Sequence, residues 1–289
     1  MDLYGIVDVG SNTIVLLVYD MSLGTPQIIL HESTPVHLID YVEDGVMAKE
    51  GIENAAKVLE KYTEEMEQLN VQHRFADITE PCRIENQKEL VDALSAFLID
   101  VDALSGYEEA YYDYCGMRLS YPDIKDGIAF DVGGGSTELV SFKDNECTEA
   151  MSFPYGCVRL SHLPLDTGQC RISLEQARKE YPSLNCTCKE LIGIGGTMRA
   201  AGKVLKKMYG TDLTVEVWMI KEMFDKLKEN DPDTVSIMKK TVKKSRQPVF
   251  LPGVHMIIEI ADIYQAERIH ISKTNIREGF LMHCIETGK

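Results

Sequence analysis

Short hydrophobic runs, separated by polar turns, open the chain. Residues 3–9 (LYGIVDV) and 14–20 (IVLLVYD) predict two buried strands joined by the turn Gly-Ser-Asn-Thr, and QIIL at 27–30 predicts a third. Residues 47–69 instead space their apolar side chains by three and four, which predicts a long amphipathic helix. Further helices and strands are predicted in alternation, at 74–78, 87–98, 100–104 and 107–118. This alternation predicts an α/β fold.

The same pattern restarts after residue 126. GIVDVGSNTIVLLV at 5–18 matches GIAFDVGGGSTELV at 127–140, which indicates a duplicated α/β lobe. A polar, proline-containing break at 120–126 separates the copies. We therefore predict an N-terminal domain at 1–122 and a C-terminal domain at 123–289, and leave open that the last helix, about 275–289, packs back on the first. The other predicted elements are strands at 137–141, 147–153, 190–194 and 268–272 and helices at 197–209, 216–229, 253–265 and 275–286.

Charge and composition narrow the classes of function. A net charge of -16 argues against general binding to nucleic acid or to an anionic membrane. The start of the chain lacks the features of a signal peptide, and no apolar run is long enough to span a bilayer. We therefore expect a cytoplasmic protein without nucleic-acid or membrane partners. The eight cysteines are scattered without a CxxC pair, which favours reduced thiols.

The first turn combines a strand-end acid with small polar residues. Asp8 is followed by Gly10, Ser11, Asn12 and Thr13. Glycine lets a backbone approach a ligand closely, and the exposed N–H groups and hydroxyls of such a turn can hold phosphate oxygens. An ordinary hairpin remains the alternative for this turn alone, since Asn and Gly are common turn residues.

The second turn is more specific. Asp131 and Val132 lead into Gly133, Gly134, Gly135, Ser136 and Thr137, followed by Glu138. Successive glycines cost about 0.5–1 kcal/mol each relative to alanine, and a simple connector would not need three of them. Because two such turns each follow a strand-end aspartate, we expect both to bind phosphate.

These two turns resemble the phosphate-1 and phosphate-2 loops of the acetate kinase, sugar kinase, chaperone ATPase and actin superfamily. Within it, the chain is similar to the exopolyphosphatase / guanosine pentaphosphatase (Ppx/GppA) family in a short two-domain form. The resemblance runs from about residue 4 to 285 and rests also on LSGYEEA at 104–110, FPYGCVRL at 153–160, IGIGGTMRA at 192–200, VFLPG at 249–253 and IREGFL at 276–281. It implies two actin-like (ribonuclease H-like) lobes with a central interdomain cleft.

The resemblance also implies roles for two charged residues. Glu109 matches the family's catalytic glutamate, which would orient a water molecule and accept its proton, while Glu108 is expected to cap the helix. Arg83 matches an arginine that points at phosphate, with a surface ion pair as its alternative. Glu80 and Pro81 depart from the family pattern, and an extra carboxylate there would weaken anion binding.

A divalent cation is the expected cofactor. Asp131 and Glu138, with Asp8 as a sharing ligand, are predicted to hold Mg²⁺ (or Mn²⁺), which prefers oxygen ligands, and Asp131 thereby joins the catalytic group. Gly195, Gly196 and Thr197 open a helix after a strand, and are predicted to add an anion site unless they form a simple connecting turn.

The expected reaction is hydrolysis of the terminal phosphate of inorganic polyphosphate. The alternatives are removal of the 5′ phosphate of guanosine pentaphosphate (pppGpp), a kinase-like ATPase, and a non-catalytic binder of polyphosphate or alarmones. A homodimer is left open. The basic run at Lys239, Lys240, Lys243, Lys244 and Arg246 is either a polyphosphate-guiding surface or a solvated helix face.

Overall fold

The computed structural model describes residues 1–97, 99–163 and 168–288. The internal contacts of the chain define two compact units, one of Met1–Glu109 with Phe280–Lys289 and one of Ala110–Gly279. The chain passes between the units inside two helices. The sequence places its domain boundary at 122/123 instead, in the loop after the first of these helices, because a loop changes composition and a division inside a helix does not.

The first unit is built on a five-stranded sheet. Its elements, in chain order, are β1 Leu3–Val9, β2 Thr13–Asp20, β3 Gln27–Pro35, β4 Val42–Glu43, β5 Val46–Met47, α1 Lys49–Gln68, β6 His73–Ile78, α2 Gln87–Ser95, β7 Asp100–Ala103 and α3 Gly106–Ser120, of which α3 continues into the second unit. The strand order is β3-β2-β1-β6-β7, and β4 pairs only with β5. Strand β1 runs antiparallel to β2 and parallel to β6, so Asp8 lies beside Asp77.

Burial of apolar side chains explains this arrangement. The predicted continuous runs of β1 and β2 are buried along almost their whole length. Helix α1 covers the sheet with the side chains predicted to form its apolar face, among them Ala55, Leu59 and Tyr62. The predicted helix at 87–98 is confirmed as α2, although residue 98 lies outside the described residues.

The second unit repeats the plan with a six-stranded sheet. Its elements are β8 Gly127–Val132, β9 Thr137–Lys143, β10 Glu146–Phe153, α4 Cys157–Ser161, α5 Gln169–Arg178, β11 Glu190–Ile194, α6 Gly195–Tyr209, β12 Thr214–Glu216, α7 Val217–Lys228, α8 Pro232–Thr241, α9 Gln247–Tyr264, β13 Arg268–Ile271 and α10 Ile276–Thr287, which ends in the first unit.

The strand order β10-β9-β8-β11-β13-β12 repeats that of the first sheet, with β12 added at one edge. In both sheets three consecutive strands pair antiparallel, and the first of them pairs in parallel with a later strand. The α/β class predicted from the sequence is therefore confirmed. No helix within the described ranges combines the length and the apolar character needed to cross a bilayer.

Candidate functional site

The first loop, residues 10–13, closes the hairpin between β1 and β2. The Gly10 amide donates to the Thr13 carbonyl at 3.2 Å, and the carbonyls of Ser11 and Asn12 accept from amides of the segment 36–39 at 3.0–3.1 Å. A trans peptide points each N–H away from the preceding carbonyl, so the Asn12 amide faces away from that segment. No hydrogen bond from the Asn12 amide is found within the described part of the chain. An outward amide of this kind suits an anion.

The turn at residues 79–83 lies against the first loop. The Thr79 amide donates to the Val9 carbonyl at 3.2 Å, which fixes the turn to the end of β1. The Ser11 hydroxyl then donates to the Glu80 carboxylate at 2.6 Å. The Glu80 side chain, which departs from the family pattern, is thus part of the loop's own hydrogen bonding.

The same turn positions the predicted catalytic pair. Arg83 donates through its amide to the Glu80 carbonyl at 3.0 Å, and its guanidinium forms a close ion pair with the Glu109 carboxylate. Glu109 is 8% exposed, in the first turn of α3. The pairing orients the carboxylate and keeps a guanidinium next to it, so a proton acceptor and an anion-binding group lie together in one unit.

Glu108 has the capping role expected of it. Its carboxylate accepts from the Ser105 amide at 2.8 Å and from the Ser105 hydroxyl at 2.7 Å, while the Glu108 amide donates back to that hydroxyl at 3.2 Å. This reciprocal arrangement is a capping box, and it fixes the start of α3. The two neighbouring glutamates therefore have different partners: Glu108 caps the helix, and Glu109 pairs with Arg83.

A pocket of about 490 Å³ opens beside this pair in the first unit. It is lined by polar and apolar residues of three short segments, namely Gly45, Arg83, Ile84, Glu85, Gln87, Ala103, Leu104, Ser105 and Glu108. Because Arg83 lines the pocket and also binds Glu109, a ligand placed there would lie next to the predicted base.

The second loop, residues 133–137, closes the hairpin between β8 and β9. The Gly133 amide donates to the Ser136 carbonyl at 3.0 Å, as Gly10 does in the first loop. The carbonyls of the three glycines all accept from amides at the start of α4: Gly133 from Cys157 at 2.9 Å, Gly134 from Val158 at 2.9 Å and Gly135 from Gly156 at 3.1 Å.

The hydrogen bonds between these three glycine carbonyls and the start of α4 set the direction of the amides in the second loop. The N–H groups of Gly134, Gly135 and Ser136 must point away from α4, because each is trans to a carbonyl that α4 holds. Gly156 lies so close that a Cβ there would overlap the Gly134 carbonyl. The loop therefore presents three outward main-chain donors, and donors of this kind bind phosphate oxygens.

Two of the predicted metal ligands lie opposite one another in the second unit. Asp131 on β8 pairs in register with Glu138 on β9, so both side chains leave the same face of the sheet. Glu138 is 2% exposed and accepts from the Ser152 hydroxyl at 2.7 Å. Like charges directly opposite are destabilising, and a cation between them would offset that cost.

The donor set fits a hard divalent cation. Among the described residues, no group of three or more His, Cys, Asp or Glu side chains could hold a metal. Mg²⁺ does not need such a cage, because it keeps several waters and uses one or two carboxylates with substrate phosphates. Asp131 and Glu138 would hold the ion in the second unit, and Asp8, 7% exposed at the end of β1, would offer an oxygen ligand in the first.

The start of α6 packs directly on Asp131. Gly195 has a φ of 73°, and a Cβ there would overlap both carboxylate oxygens of Asp131. The Thr197 hydroxyl donates to the Val132 carbonyl at 2.6 Å, so its proton ties α6 to the end of β8. The Thr137 hydroxyl likewise donates to the Tyr155 carbonyl at 2.7 Å. The hydroxyl protons of Thr137 and Thr197 are thus used in hydrogen bonds within the unit, so main-chain amides are the groups left to donate to a bound anion.

Arginines surround this end of α6. The Arg246 guanidinium lies against Gly196, where a Cβ would overlap it, whereas Lys239, Lys240, Lys243 and Lys244 are exposed. Burial, followed by the nearby charge of Arg277, lowers the pKa of Arg199, which also donates to the Lys273 carbonyl at 2.8 Å. The sequence assigned Arg246 to a surface run.

Relatives of known structure share the whole fold. A crystal structure of the Aquifex aeolicus member of the Ppx/GppA family is 24% identical, with a TM-score of 0.80 over 99% of this chain and 98% of that one. The structure of a Cytophaga hutchinsonii exopolyphosphatase is 20% identical, with a TM-score of 0.81 over 99% and 98%. These similarities support the predicted fold of two actin-like lobes.

Relatives in sequence have two kinds of name. A Haemophilus influenzae protein, provisionally named an exopolyphosphatase, is 23% identical over 95% of this chain and 89% of its own length. A Pseudoalteromonas atlantica guanosine-5'-triphosphate,3'-diphosphate pyrophosphatase is 22% identical over 99% of this chain, which spans 59% of that relative's length. The model of the Ppx/GppA phosphatase family matches residues 17–287. With both loops, the Arg83–Glu109 pair and this match over nearly its whole length, the chain belongs to the Ppx/GppA phosphatase family.

Proposed function

We propose that the chain hydrolyses the terminal phosphoanhydride bond of inorganic polyphosphate. The observation that carries the proposal is the Arg83–Glu109 ion pair, which is joined through the turn at Glu80 to the first loop. This connection puts a carboxylate, a guanidinium and an amide-lined tip in one unit. Hydrolysis of an anhydride needs a water molecule aimed at phosphorus and groups that neutralise the oxygens around it.

Glu109 acts as the general base in this proposal. Its carboxylate orients the attacking water and accepts its proton, while Arg83 holds the carboxylate in place and offers its remaining donors to a phosphate oxygen. The buried position of Glu109 limits competition from bulk water. Hydrogen-bond donors aimed at phosphate oxygens lower the barrier because charge develops on those oxygens.

The two loops bind phosphate groups through main-chain amides. The outward N–H groups of Gly134, Gly135 and Ser136 hold oxygens without a titratable charge, and the Asn12 amide does the same in the first loop. A bound Mg²⁺ or Mn²⁺ would neutralise phosphate charge beside Asp8, Asp131 and Glu138. In this proposal the loop amides bind phosphate oxygens, and Glu109 orients the water molecule and accepts its proton.

Three substrates separate the candidate functions. The purified chain with Mg²⁺ is expected to release orthophosphate from long-chain polyphosphate faster than from pppGpp or ATP, measured side by side at equal concentrations of cleavable ends. The name of the Pseudoalteromonas relative favours pppGpp as the second candidate. Faster release from pppGpp would replace polyphosphate as the proposed substrate, and no release from any of the three would favour a binding protein.

The exposed lysines at 239, 240, 243 and 244 are proposed to guide long polyanions. Replacing all four with glutamate is expected to raise KM for polyphosphate of hundreds of units by about tenfold, because electrostatic attraction scales with the charge of the ligand, and to leave KM for tripolyphosphate nearly unchanged. The measurement is orthophosphate release as a function of chain length.

A scattered control has the same total change of charge. It replaces four other exposed lysines with glutamate, namely Lys57, Lys125, Lys143 and Lys203. The control is expected to change KM for long and short chains by similar small factors. Equal chain-length profiles for the two quadruple variants would assign the segment to a solvated surface.

A further inference from the structure

The Ser11–Glu80 hydrogen bond lies within the first loop. Ser11 is 5% exposed, and its hydroxyl donates to the Glu80 carboxylate at 2.6 Å. Glu80 begins a short 3₁₀ turn that is fixed at both ends, by the Thr79 amide on Val9 and by the Arg83 amide on the Glu80 carbonyl. The acceptor is a charged group in a backbone-restrained turn, which makes this bond stronger than a hydrogen bond between neutral groups.

A serine hydroxyl has one proton, and in Ser11 that proton is used in the hydrogen bond to Glu80. A hydroxyl carries one donor and two acceptor lone pairs, so Ser11 Oγ offers only lone pairs to any further ligand. The ionised oxygens of a phosphate group are also acceptors and cannot form hydrogen bonds with those lone pairs. A cation can, and hydroxyl and carboxylate oxygens are ligands that Mg²⁺ prefers. The same bond thus turns Ser11 from a phosphate donor into a cation ligand.

A second oxygen ligand lies at the same tip. The Asp8 carboxylate reaches within 3.8 Å of the position that a Cβ would take on Gly10, so its oxygen borders the loop. A group that accepts a hydrogen bond from a metal ligand fixes the orientation of that ligand and raises its basicity. Glu80 stands in this relation to Ser11. Asp8 and Ser11 are therefore the two oxygen ligands that the tip would offer to a cation, with Glu80 holding the Ser11 hydroxyl.

We propose that Glu80 is a specificity-determining residue that makes the first loop take phosphate as its complex with a divalent cation rather than as the free anion. The inference rests on the proposed function, because it assumes that this loop binds phosphate. It concerns which form of the ligand enters, and it holds for any phosphoanhydride that the chain hydrolyses. Glu80 acts through Ser11 and is a positioning residue in the cation's environment.

Orthophosphate binding tests the proposal without hydrolysis. In calorimetry with EDTA present, Glu80→Ala is expected to bind orthophosphate about tenfold more tightly than the unchanged chain, because Ser11 regains a proton to donate and a hydrogen bond to a charged group contributes about 1.5 kcal/mol or more. With Mg²⁺ present, the unchanged chain should gain affinity and the variant should gain much less.

A double-mutant cycle assigns the effect to Ser11. Ser11→Ala combined with Glu80→Ala is expected to lose the gain seen in EDTA, because the regained proton is absent. If the double variant keeps the gain, Glu80 acts by its bulk charge and the proposal is overturned. Glu89→Ala, which removes an exposed carboxylate of the same unit, is the control and should leave both affinities unchanged.

Binding of Mn²⁺ gives a readout that needs no activity. Electron paramagnetic resonance of Mn²⁺ with orthophosphate should show an affinity lowered about tenfold in Glu80→Ala and in Glu80→Gln, since either change weakens the support of Ser11 as a ligand. Unchanged Mn²⁺ affinity in both variants, with thermal unfolding showing that both are folded, would overturn the proposal. Because neither ligand is cleaved, these results stand apart from the choice of substrate.

Discussion

Replacing Glu109 with glutamine is expected to lower the rate of orthophosphate release by about 10²–10⁴-fold, the range that general-base catalysis contributes. Glutamine keeps the size of the side chain and can still accept from Arg83, but its amide cannot accept the proton of the attacking water. KM should change little, because the loops and Arg83 remain. Steady-state kinetics on polyphosphate with Mg²⁺ measure both constants.

Glu108→Gln is the matched control for this prediction. The same chemical change one residue earlier keeps a side chain that can accept from Ser105 but removes a negative charge from the first turn of α3, so it should lower the free energy of unfolding by about 0.3–1 kcal/mol and leave kcat within a few-fold. Circular dichroism and thermal unfolding check that both variants fold. Near-normal kcat in Glu109→Gln, or a larger loss in Glu108→Gln, would assign the base elsewhere.

Replacing Gly195 with alanine is expected to destabilise the second unit and to disable the site. The residue has a φ of 73°, which costs a residue with a side chain about 1–2 kcal/mol, and its Cβ would displace the Asp131 carboxylate. Overpacking adds about 1–3 kcal/mol, and misplacing a catalytic group by about 1 Å lowers the rate by about 10²-fold. Denaturant unfolding and phosphate release measure the two effects.

Gly210→Ala separates backbone strain from the clash. Gly210 also has a φ of 73°, at the end of α6, but no atom lies within 4 Å of its added Cβ. It should cost only the strain of about 1–2 kcal/mol and leave kcat unchanged. Equal loss of activity in the two variants would show that strain in α6, rather than the contact with Asp131, limits the reaction.

Most strands and long helices could be predicted from the sequence because burial gives them a clear period. The missed helices lack that signal or follow a break. Helix α8 begins at Pro232, where Asp231 accepts from the Thr234 amide at 3.1 Å, and this cap followed by proline was a legible start signal. Helix α9 was predicted from 253, after Pro252, but it begins at Gln247 and contains Pro252, and both Phe250 and Pro252 are buried.

The candidate site could be predicted as residue types but not as hydrogen bonds. The acid-ended strands, the glycines and Glu109 follow from sequence and resemblance. The partner of Ser11 and the contact of Arg246 with Gly196 depend on segments far apart in the chain, which meet only after the strands have paired. Sequence alone assigned Ser11, Thr137 and Thr197 as donors to phosphate, and the structure shows each hydroxyl donating to a protein oxygen.

The hydrogen bonds from the start of α4 to the three glycine carbonyls leave the second loop with outward main-chain donors, and Arg159 supports the same peptides by donating to the Gly135 carbonyl at 3.0 Å. Each glycine peptide accepts at one end and donates at the other, so each hydrogen bond from Gly156, Cys157 or Val158 polarises the amide of the peptide that it holds. Peptide amides do not titrate in water at ordinary pH. The hold of this loop on an anion should therefore stay constant from mildly acidic to alkaline conditions, and any pH optimum must arise from the acids and from the ligand itself.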